Sequence, residues 1–436
     1  MDTLPLPPRP NLDQYRKRAK RLVAAAHSSD VHAVRRWATE WLESLVALLD
    51  VAPSAFVRNS LDHAVTRIVG RVAVDRFALA DAQFLIARAH GFENWAAFAQ
   101  HIGGDSHDGA KHSDFERAAD AIVNGDLETL SELVRATPAL IRARSTRIHR
   151  CTLLHYVAAN GVEDFRQKTP RNAVEITRFL LDAGAEPDAL ADTYGADSLQ
   201  TTMNLLVSSV HPAGAGLQSP IVEALLDYGA AANGVAADES PLLTALHFGY
   251  IDPAETLARR GARVDAIITA AALGRLDLVR DMLVNATTLR PDVALMSSPW
   301  KRLPPDPRVH VEHALAWACK FARTDVALFL LQLGVNPRAM DTDSMTALHW
   351  AAANGMMDVI DELLRLGAPL EVQNAWEGTV LGSTLHIASY MPAKGVDYLR
   401  VVERLLRAGA NVNSIAYPTG RVELDESLAR YGARGR

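Results

Sequence analysis

Three histidines in similar phrases are the first residues of this sequence that could do chemistry. They are His155 in Thr152-Leu153-Leu154-His155, His349 in Thr346-Ala347-Leu348-His349, and His386 in Ser383-Thr384-Leu385-His386. Histidine moves protons and binds metals near neutral pH, but these copies stand in separate segments without a second ligand type at metal spacing. Their reading is structural. His310 and His313 flank Glu312 and come closer to a metal pair, yet no third ligand is near and His313 stands where a cap is expected. His101, His107 and His112 crowd one polar stretch, where metal uptake would be adventitious. Cys151 and Cys319, far apart, read as two reduced thiols. No glycine-rich phosphate loop, nucleophile motif, paired-carboxylate signature or zincin helix occurs. The expectation is a non-catalytic chain with no cofactor, no metal and no small-molecule substrate.

Charge and hydropathy narrow the class further. A formal charge of −6 on 436 residues gives no general pull toward nucleic acid or an anionic membrane. The basic run Arg16-Lys17-Arg18 with Lys20 and Arg21 spreads around a helix whose apolar seam is Leu12, Tyr15, Ala19, Leu22 and Val23. It reads as the solvated face of a packed helix, with a nucleic-acid contact as the alternative. A hydrophobic content of 49% describes a chain that folds. No run approaches the roughly 18 apolar residues of a membrane span. The start, Met1 to Pro10, lacks the basic cluster and apolar stretch of a secretory signal. A cytoplasmic protein with a disordered Pro-rich leader is expected, the leader being otherwise a ligand for a proline-reading domain.

The elements that position these residues come from repetition. Two leucines, two variable residues, a glycine and a small residue recur at Leu180-Leu181/Gly184-Ala185, Leu225-Leu226/Gly229-Ala230, Leu330-Leu331/Gly334-Val335, Leu363-Leu364/Gly367-Ala368 and Leu405-Leu406/Gly409-Ala410. Leu257-Ala258/Gly261-Ala262 is a variant. The leucines face a core and the glycine ends a helix in the left-handed conformation. Gly229 to Gly261 is 32 residues and Gly334 to Gly367 is 33. The Thr/Ser phrases, to which Ser240-Pro241-Leu242-Leu243 belongs, open a first helix of each period through an N-cap.

Both phrases in one register resemble the ankyrin repeat, whose period is about 33 residues and whose motif is Thr-Pro-Leu-His. The resemblance implies an all-α solenoid of about eight helix pairs over 114–436. Its first copy is degenerate, from Phe115 to Leu127; its sixth uses His313-Ala314-Leu315-Ala316; a terminal cap helix runs from Glu423 to Tyr431. Insertions between first and second helices are read in repeat two (Val162 to Asn172), repeat three (His211 to Ser219) and repeat eight (Met391 to Leu399). They are expected to form a second surface or a brace for the N-terminal region. Arg166, Lys168 and Arg171 beside Glu163, Asp164 and Phe165 would supply its polar contacts. The segment Asn285 to Val309 replaces a finger.

Residues 1–103 lack the repeat and read as a leader followed by a bundle of four or five helices. One runs from Leu12 to about His27, capped by Asn11; another runs from Leu79 to His90, stopped by Gly91; Asn94-Trp95 leads into the last. Residues 104–113 read as a linker. The whole resembles bacterial ankyrin-repeat proteins with a helical N-terminus. That likeness is carried by Pro10-Asn11-Leu12, Ala80-Asp81-Ala82-Gln83, Gly91-Phe92, Trp95, Val157-Ala158-Ala159-Asn160-Gly161-Val162 and Trp376-Glu377-Gly378-Thr379-Val380-Leu381.

The resemblance also implies a role. Ankyrin stacks bind another protein on a concave face of fingers and first helices, as scaffold, adaptor or inhibitor. The positions this implies are Thr342, Asp343 and Met345 on one finger, and Trp376 and Trp300 on lengthened ones. On first helices they are Asn160, His247, Phe248, Lys320, Phe321, Asn354 and Tyr390. The alternative is a nucleic-acid-associated regulator acting through the basic N-terminal helix.

Overall fold

The computed structural model describes residues 4–434 except 8–9, 48–54, 73–75, 104–106, 160–162, 164–165, 194–198, 236–239 and 297–302; of 55–60 and 107–113 it describes the backbone alone. The protein is all-α, and its contacts divide it into two compact units, 1–244 and 245–436. The boundary falls inside the repeats, so the N-terminal helices share a unit with the first helix pairs.

The first unit opens with α1 (Leu12–Ala26), α2 (Ala33–Val46), α3 (Ala55–Val72), α4 (Leu79–Ala89) and α5 (Trp95–Ile102). Asn11 caps α1 by accepting from the amides of Asp13 and Gln14. Tyr15, Ala19 and Leu22, one turn apart, form its buried stripe. They join Trp41, Leu42, Leu85, Ile86, Phe92 and Phe98 in one core. At its centre lies the fully buried ring of His90, edge-on to Tyr15 at 5.3 Å and stacked on Phe98 at 5.4 Å. The leader was expected to be disordered, yet Leu4 and Leu6 pack against this core and Pro5 is buried. Leucine and proline offer apolar surface that the aromatic floor can cover, which outweighs the cost of ordering so short a segment.

The linker expectation also changes. Helix α6 (His107–Asn124) begins inside 104–113, so that stretch is helical from His107 onward. It packs on α7 (Leu127–Ala136) and on the 3-10 helix Leu153–Ala158, which packs on α8 (Ala173–Asp182) and α9 (Thr202–Ser208). A short α10 (Val210–Gly214) fills the insertion of repeat three and leads to α11 (Gln218–Asp227). A two-residue hairpin, Ala191–Asp192 with Leu199–Gln200, forms a finger.

Helix α12 (Pro241–His247) straddles the boundary, and α13 (Ile251–Arg259) through α22 (Val422–Arg430) build the second unit. Its first helices α14 (Ile267–Ala272), α16 (Pro307–Lys320), α18 (Ala347–Ala353) and α20 (Val380–Tyr390) pack in series. The second helices α15 (Leu276–Met282), α17 (Thr324–Leu333) and α19 (Met357–Arg365) make a parallel series, and α21 (Tyr398–Arg407) packs on α20. The double-leucine phrase works as expected: Leu330 and Leu331 are buried and Gly334 closes α17 at φ +96°. That is a left-handed conformation glycine adopts without strain. Leu424 and Leu428 of α22 are buried, and α22 packs on α21 as the terminal cap. Among the described residues the only sheets are two two-stranded hairpins.

Two helix starts differ from the reading. In repeat six the cap is Asp306, followed by Pro307 at the first helical position, so His313 lies within α16 and is buried. In repeat eight the cap is Thr379, whose hydroxyl accepts from the Gly382 amide. Ser383 and Thr384 are therefore one turn inside α20, and His386 is exposed with its ring against Tyr390 at 4.9 Å. The phrase Ser383-Thr384-Leu385-His386 imitates a start because a Thr one turn into a helix bonds back to the preceding turn, as Thr384 does to Val380 O at 2.7 Å.

Candidate functional site: two fingers and a ladder of caps

His155 and His349 share one arrangement. The Nδ1 of His349 accepts from the Thr346 amide at 3.2 Å, which leaves the proton on Nε2, and Nε2–H donates to Gly378 O of the next finger at 3.2 Å. Burial lowers its pKa from the ordinary histidine value. His155 accepts from Thr152 at 3.1 Å, and burial pushes its pKa down to about 4. Both stay neutral near pH 7 and hold helix starts. His310 is committed in a similar way: its Nδ1 accepts from the Met296 amide at 3.2 Å and its Nε2 faces Pro304 O at 3.1 Å. It ties Met296 to Pro304. Among the described residues no cluster of three metal-ligating side chains occurs.

A second device was missed in the sequence. The last carbonyls of an α-helix lack partners within it, and here the donor arrives from a later repeat. Asn172 Nδ2 reaches Gly125 O after α6 at 2.9 Å. Ser209 Oγ reaches Ala159 O at 2.7 Å, and Arg323 Nε reaches Ala272 O of α14 at 2.9 Å. Asn354 Nδ2 reaches Cys319 O and Lys320 O of α16 at 2.9 and 3.1 Å. Tyr398 Oη reaches Ala353 O of α18 at 2.9 Å, and Arg421 Nη1 reaches Ala388 O of α20 at 2.5 Å. Lys320 Nζ reaches His247 O at 3.1 Å with the rings of Trp317, Phe321 and Trp350 within 5.1–5.6 Å. It matches a cation to the negative end of α12 and to three aromatic faces. The sequence signal was the recurrence of long polar donors at the ends of first helices and in the junction insertions.

The insertion of repeat two does more. Arg166 pairs with Glu116 of α6 and lies 3.3 Å from Glu163 Oε2. Glu163 Oε1 receives Arg147 Nε at 3.0 Å, His149 Nε2 at 2.9 Å and Tyr156 Oη at 3.3 Å. His149 Nδ1 accepts from the Cys151 amide at 3.1 Å, so the proton it offers Glu163 is on Nε2. Glu163, Arg147, His149 and Tyr156 are buried. Burial alone would raise the Glu163 pKa; the Arg147 and Arg166 guanidiniums overcome it and hold the carboxyl well below the usual carboxylate range. Arg147 and His149 belong to the finger of repeat two, closed by Ser145 N–H to Cys151 O at 2.8 Å. That finger grips the bundle: Arg147 Nη1 donates to His90 O at 3.0 Å and the Ile148 amide to Gly91 O at 2.8 Å. Glu163 and Arg166, expected to make the polar contacts of a second surface or a brace, are the buried links between insertion, first repeat and bundle. Phe165 and Asp164 lie outside the described residues.

The finger of repeat eight is built differently. Asn374 Oδ1 accepts from the amides of Trp376 at 3.0 Å and Gly378 at 2.9 Å, and the Ala375 amide donates to Asp343 O of the preceding finger at 2.9 Å. Trp376 on this braced loop is 69% exposed. Of the other implied positions, Tyr390 is 73% and Phe248 45% exposed, and Thr342 is exposed. His247, Phe321 and Asp343 are half-buried, with the His247 ring edge-on to Phe248 at 5.2 Å. Met345 is only 4% exposed, with its sulfur 3.1 Å from Asn374 Nδ2, and is corrected to a core residue: the finger turns it inward. Lys320 and Asn354 serve the ladder. Asn160 and Trp300 lie outside the described residues.

On α1, Arg18 lies over Trp41 at 5.8 Å and Arg16 pairs with Asp13 at 2.9 Å, while Lys17, Lys20 and Arg21 are exposed. No described helix is long and apolar enough to cross a membrane.

Stacked helix pairs joined by hairpin fingers define a helical repeat protein. Residues 267–374 and 315–416 match the family model for ankyrin repeats (three copies), and this part of the chain consists of ankyrin repeats. It is 39% identical over 87 residues to an E3 ubiquitin-protein ligase, XB3, of Oryza sativa subsp. japonica, covering 20% of this chain and 15% of that protein. It is 31% identical over 102 residues to an ankyrin repeat protein of Acanthamoeba polyphaga mimivirus, covering 23% and 22%. The chain thus spans less than a quarter of the length of these curated relatives. The human ASB11 ankyrin repeat domain aligns over 67% of this chain and 98% of its own at 21% identity and a TM-score of 0.33, too loosely to define the fold. Ankyrin repeats are, as a class, interaction modules.

Proposed function

We propose that this chain is a non-catalytic protein-interaction module whose partner docks on the second unit, over the fingers of repeats seven and eight and the exposed residues of the first helices. The observation that carries this reading is Trp376, exposed at 69% on a loop fixed by three hydrogen bonds. A rigidly held indole loses little conformational freedom on binding and is the side-chain type most enriched among binding hot spots. Thr342 on the neighbouring finger, Tyr390 and His386 on α20, and Phe248 just after α12 extend the surface.

The titratable groups that could have supported an enzyme reading are engaged elsewhere. Glu163 and Arg147 form an ion pair to which His149 adds a hydrogen bond, and His155 and His349 hold helix starts. The nucleic-acid alternative draws less support, because Arg18 and Arg16 already have intramolecular contacts on α1.

The test is quantitative affinity capture of tagged wild type, Trp376→Ala and Tyr390→Ala, with and without nuclease. Loss of the same protein from both variants, at unchanged thermal stability, supports the reading. Full retention of every captured protein by both variants overturns it.

A further inference from the structure

We propose that the groove beside His90 is a binding site for an extended, uncharged leucine–proline peptide, filled in the resting chain by its own residues Leu4–Pro7. This stands independently of the partner surface on the second unit.

The recognition is main-chain first. The Leu4 amide donates to Ala89 O at 2.8 Å, and Leu4 O accepts from His90 Nδ1 at 3.1 Å. One residue thus has both backbone groups read by the end of α4, as an added strand reads a sheet edge. Side chains then select. Leu4 and Leu6 pack on the bundle core, and Pro5 between them is buried. Proline brings no backbone N–H to be stranded there, and its fixed φ suits an extended segment. A charged residue at any of these places would lose its hydration without a partner.

The receptor half is organised without help from the segment it holds. His90 lies among Tyr15, Trp41 and Phe98, and Arg147 Nη1 holds its carbonyl at 3.0 Å. Burial drives its pKa down to about 3, so the ring stays neutral and a single proton serves both nitrogens. That proton is on Nδ1, pointing to Leu4 O. The Nε2 atom is buried with no hydrogen-bond partner among the described residues. A donor so fixed is pre-formed for any carbonyl placed where Leu4 O sits. The resident segment, tethered through Pro10 to the capped start of α1, competes at high effective concentration, so a second peptide binds only when the segment is displaced.

The experiment uses the full-length chain carrying Leu4→Asp with Leu6→Asp. Its probe is a fluorescein-labelled peptide, Thr-Leu-Pro-Leu-Pro-Pro, followed by anisotropy. The expected result is binding to the double variant at least tenfold tighter than to wild type, abolished when both leucines of the peptide are replaced by aspartate. Equal binding to both proteins, or no binding to a double variant that keeps its helical circular dichroism, overturns the proposal. If the variant does not fold, hydrogen exchange at the Leu4 amide of wild type decides. Protection well beyond that of a free peptide is expected, and exchange at the free-peptide rate overturns it. A wild-type dimer linked through exchanged leaders would also overturn the assignment to a separate peptide.

Discussion

The fingers of repeats two and eight occupy the same place in the repeat and face opposite problems. The first carries Arg147 and His149 inward, where Glu163 joins them and Arg147 continues to the bundle carbonyl of His90. The second turns Asn374 inward, onto Met345 of the preceding finger, and leaves Trp376 in water. Repeat two abuts a bundle and becomes a joint; repeat eight keeps an exposed indole. The difference teaches that equivalence in a repeat register fixes the backbone and leaves the use of the side chain to the neighbourhood.

Breaking the joint has the largest expected effect. Glu163→Ala removes the buried carboxylate that Arg147 and Arg166 share and leaves both guanidiniums leaning on Glu116, a loss of about 3–5 kcal/mol. Urea unfolding followed by hydrogen exchange should show the first unit failing early while the protection of the second is unchanged. Equal losses in both units would contradict the comparison.

Acid should separate the units next. His90 and His155 are neutral in the fold, at about 3 and about 4, and protonate near 6.5 when unfolded. Their contribution is complete above about pH 6.5 and falls away as the pH drops toward those values. Glu163, depressed in the fold, adds a loss below the usual carboxylate value of 4.5. In the second unit His349 and His310 are also lowered by burial, but Asp341 runs the other way, because burial raises its pKa and its protonation favours the fold. Unfolding midpoints at pH 7, 5.5 and 4 should therefore fall faster for the first unit.

The motif histidines sharpen the same point at smaller scale. His349→Ala leaves the buried Thr346 amide without its acceptor, while Gly378 O keeps the Asn374 amide, and should cost about 1–3 kcal/mol. His386→Ala should stay within about 0.5 kcal/mol, since that ring is on the surface. Asn354→Ala, removing one rung of the ladder, should cost about 1 kcal/mol. Thermal melts of the three variants order these effects, and a His386 loss equal to that of His349 would restore the original register of repeat eight.

The stack was legible because the double-leucine phrases and their glycines encode a local event, a buried helix end followed by a left-handed residue. Thr346 and His349 were legible for the same reason, as their contact spans three residues. What failed was non-local. Nothing in the spacing ties Glu116 to Arg166 or Arg147 to His90, and charged residues in an insertion look solvated until the neighbour that buries them is known. Repeat six was read late because Asp306 and Pro307 begin α16 before the alanine-rich stretch that resembled a motif. Among the implied binding positions, Lys320, Asn354 and Met345 were assigned by register, and their side chains went to carbonyls and core.

The most direct test of the account places a photo-crosslinking amino acid at Trp376 in one protein and at Arg150, the exposed tip of the repeat-two finger, in another. Both are irradiated in lysate of the source organism. The account predicts a discrete protein adduct from position 376 and none from 150. An adduct from 150 with none from 376 would contradict it.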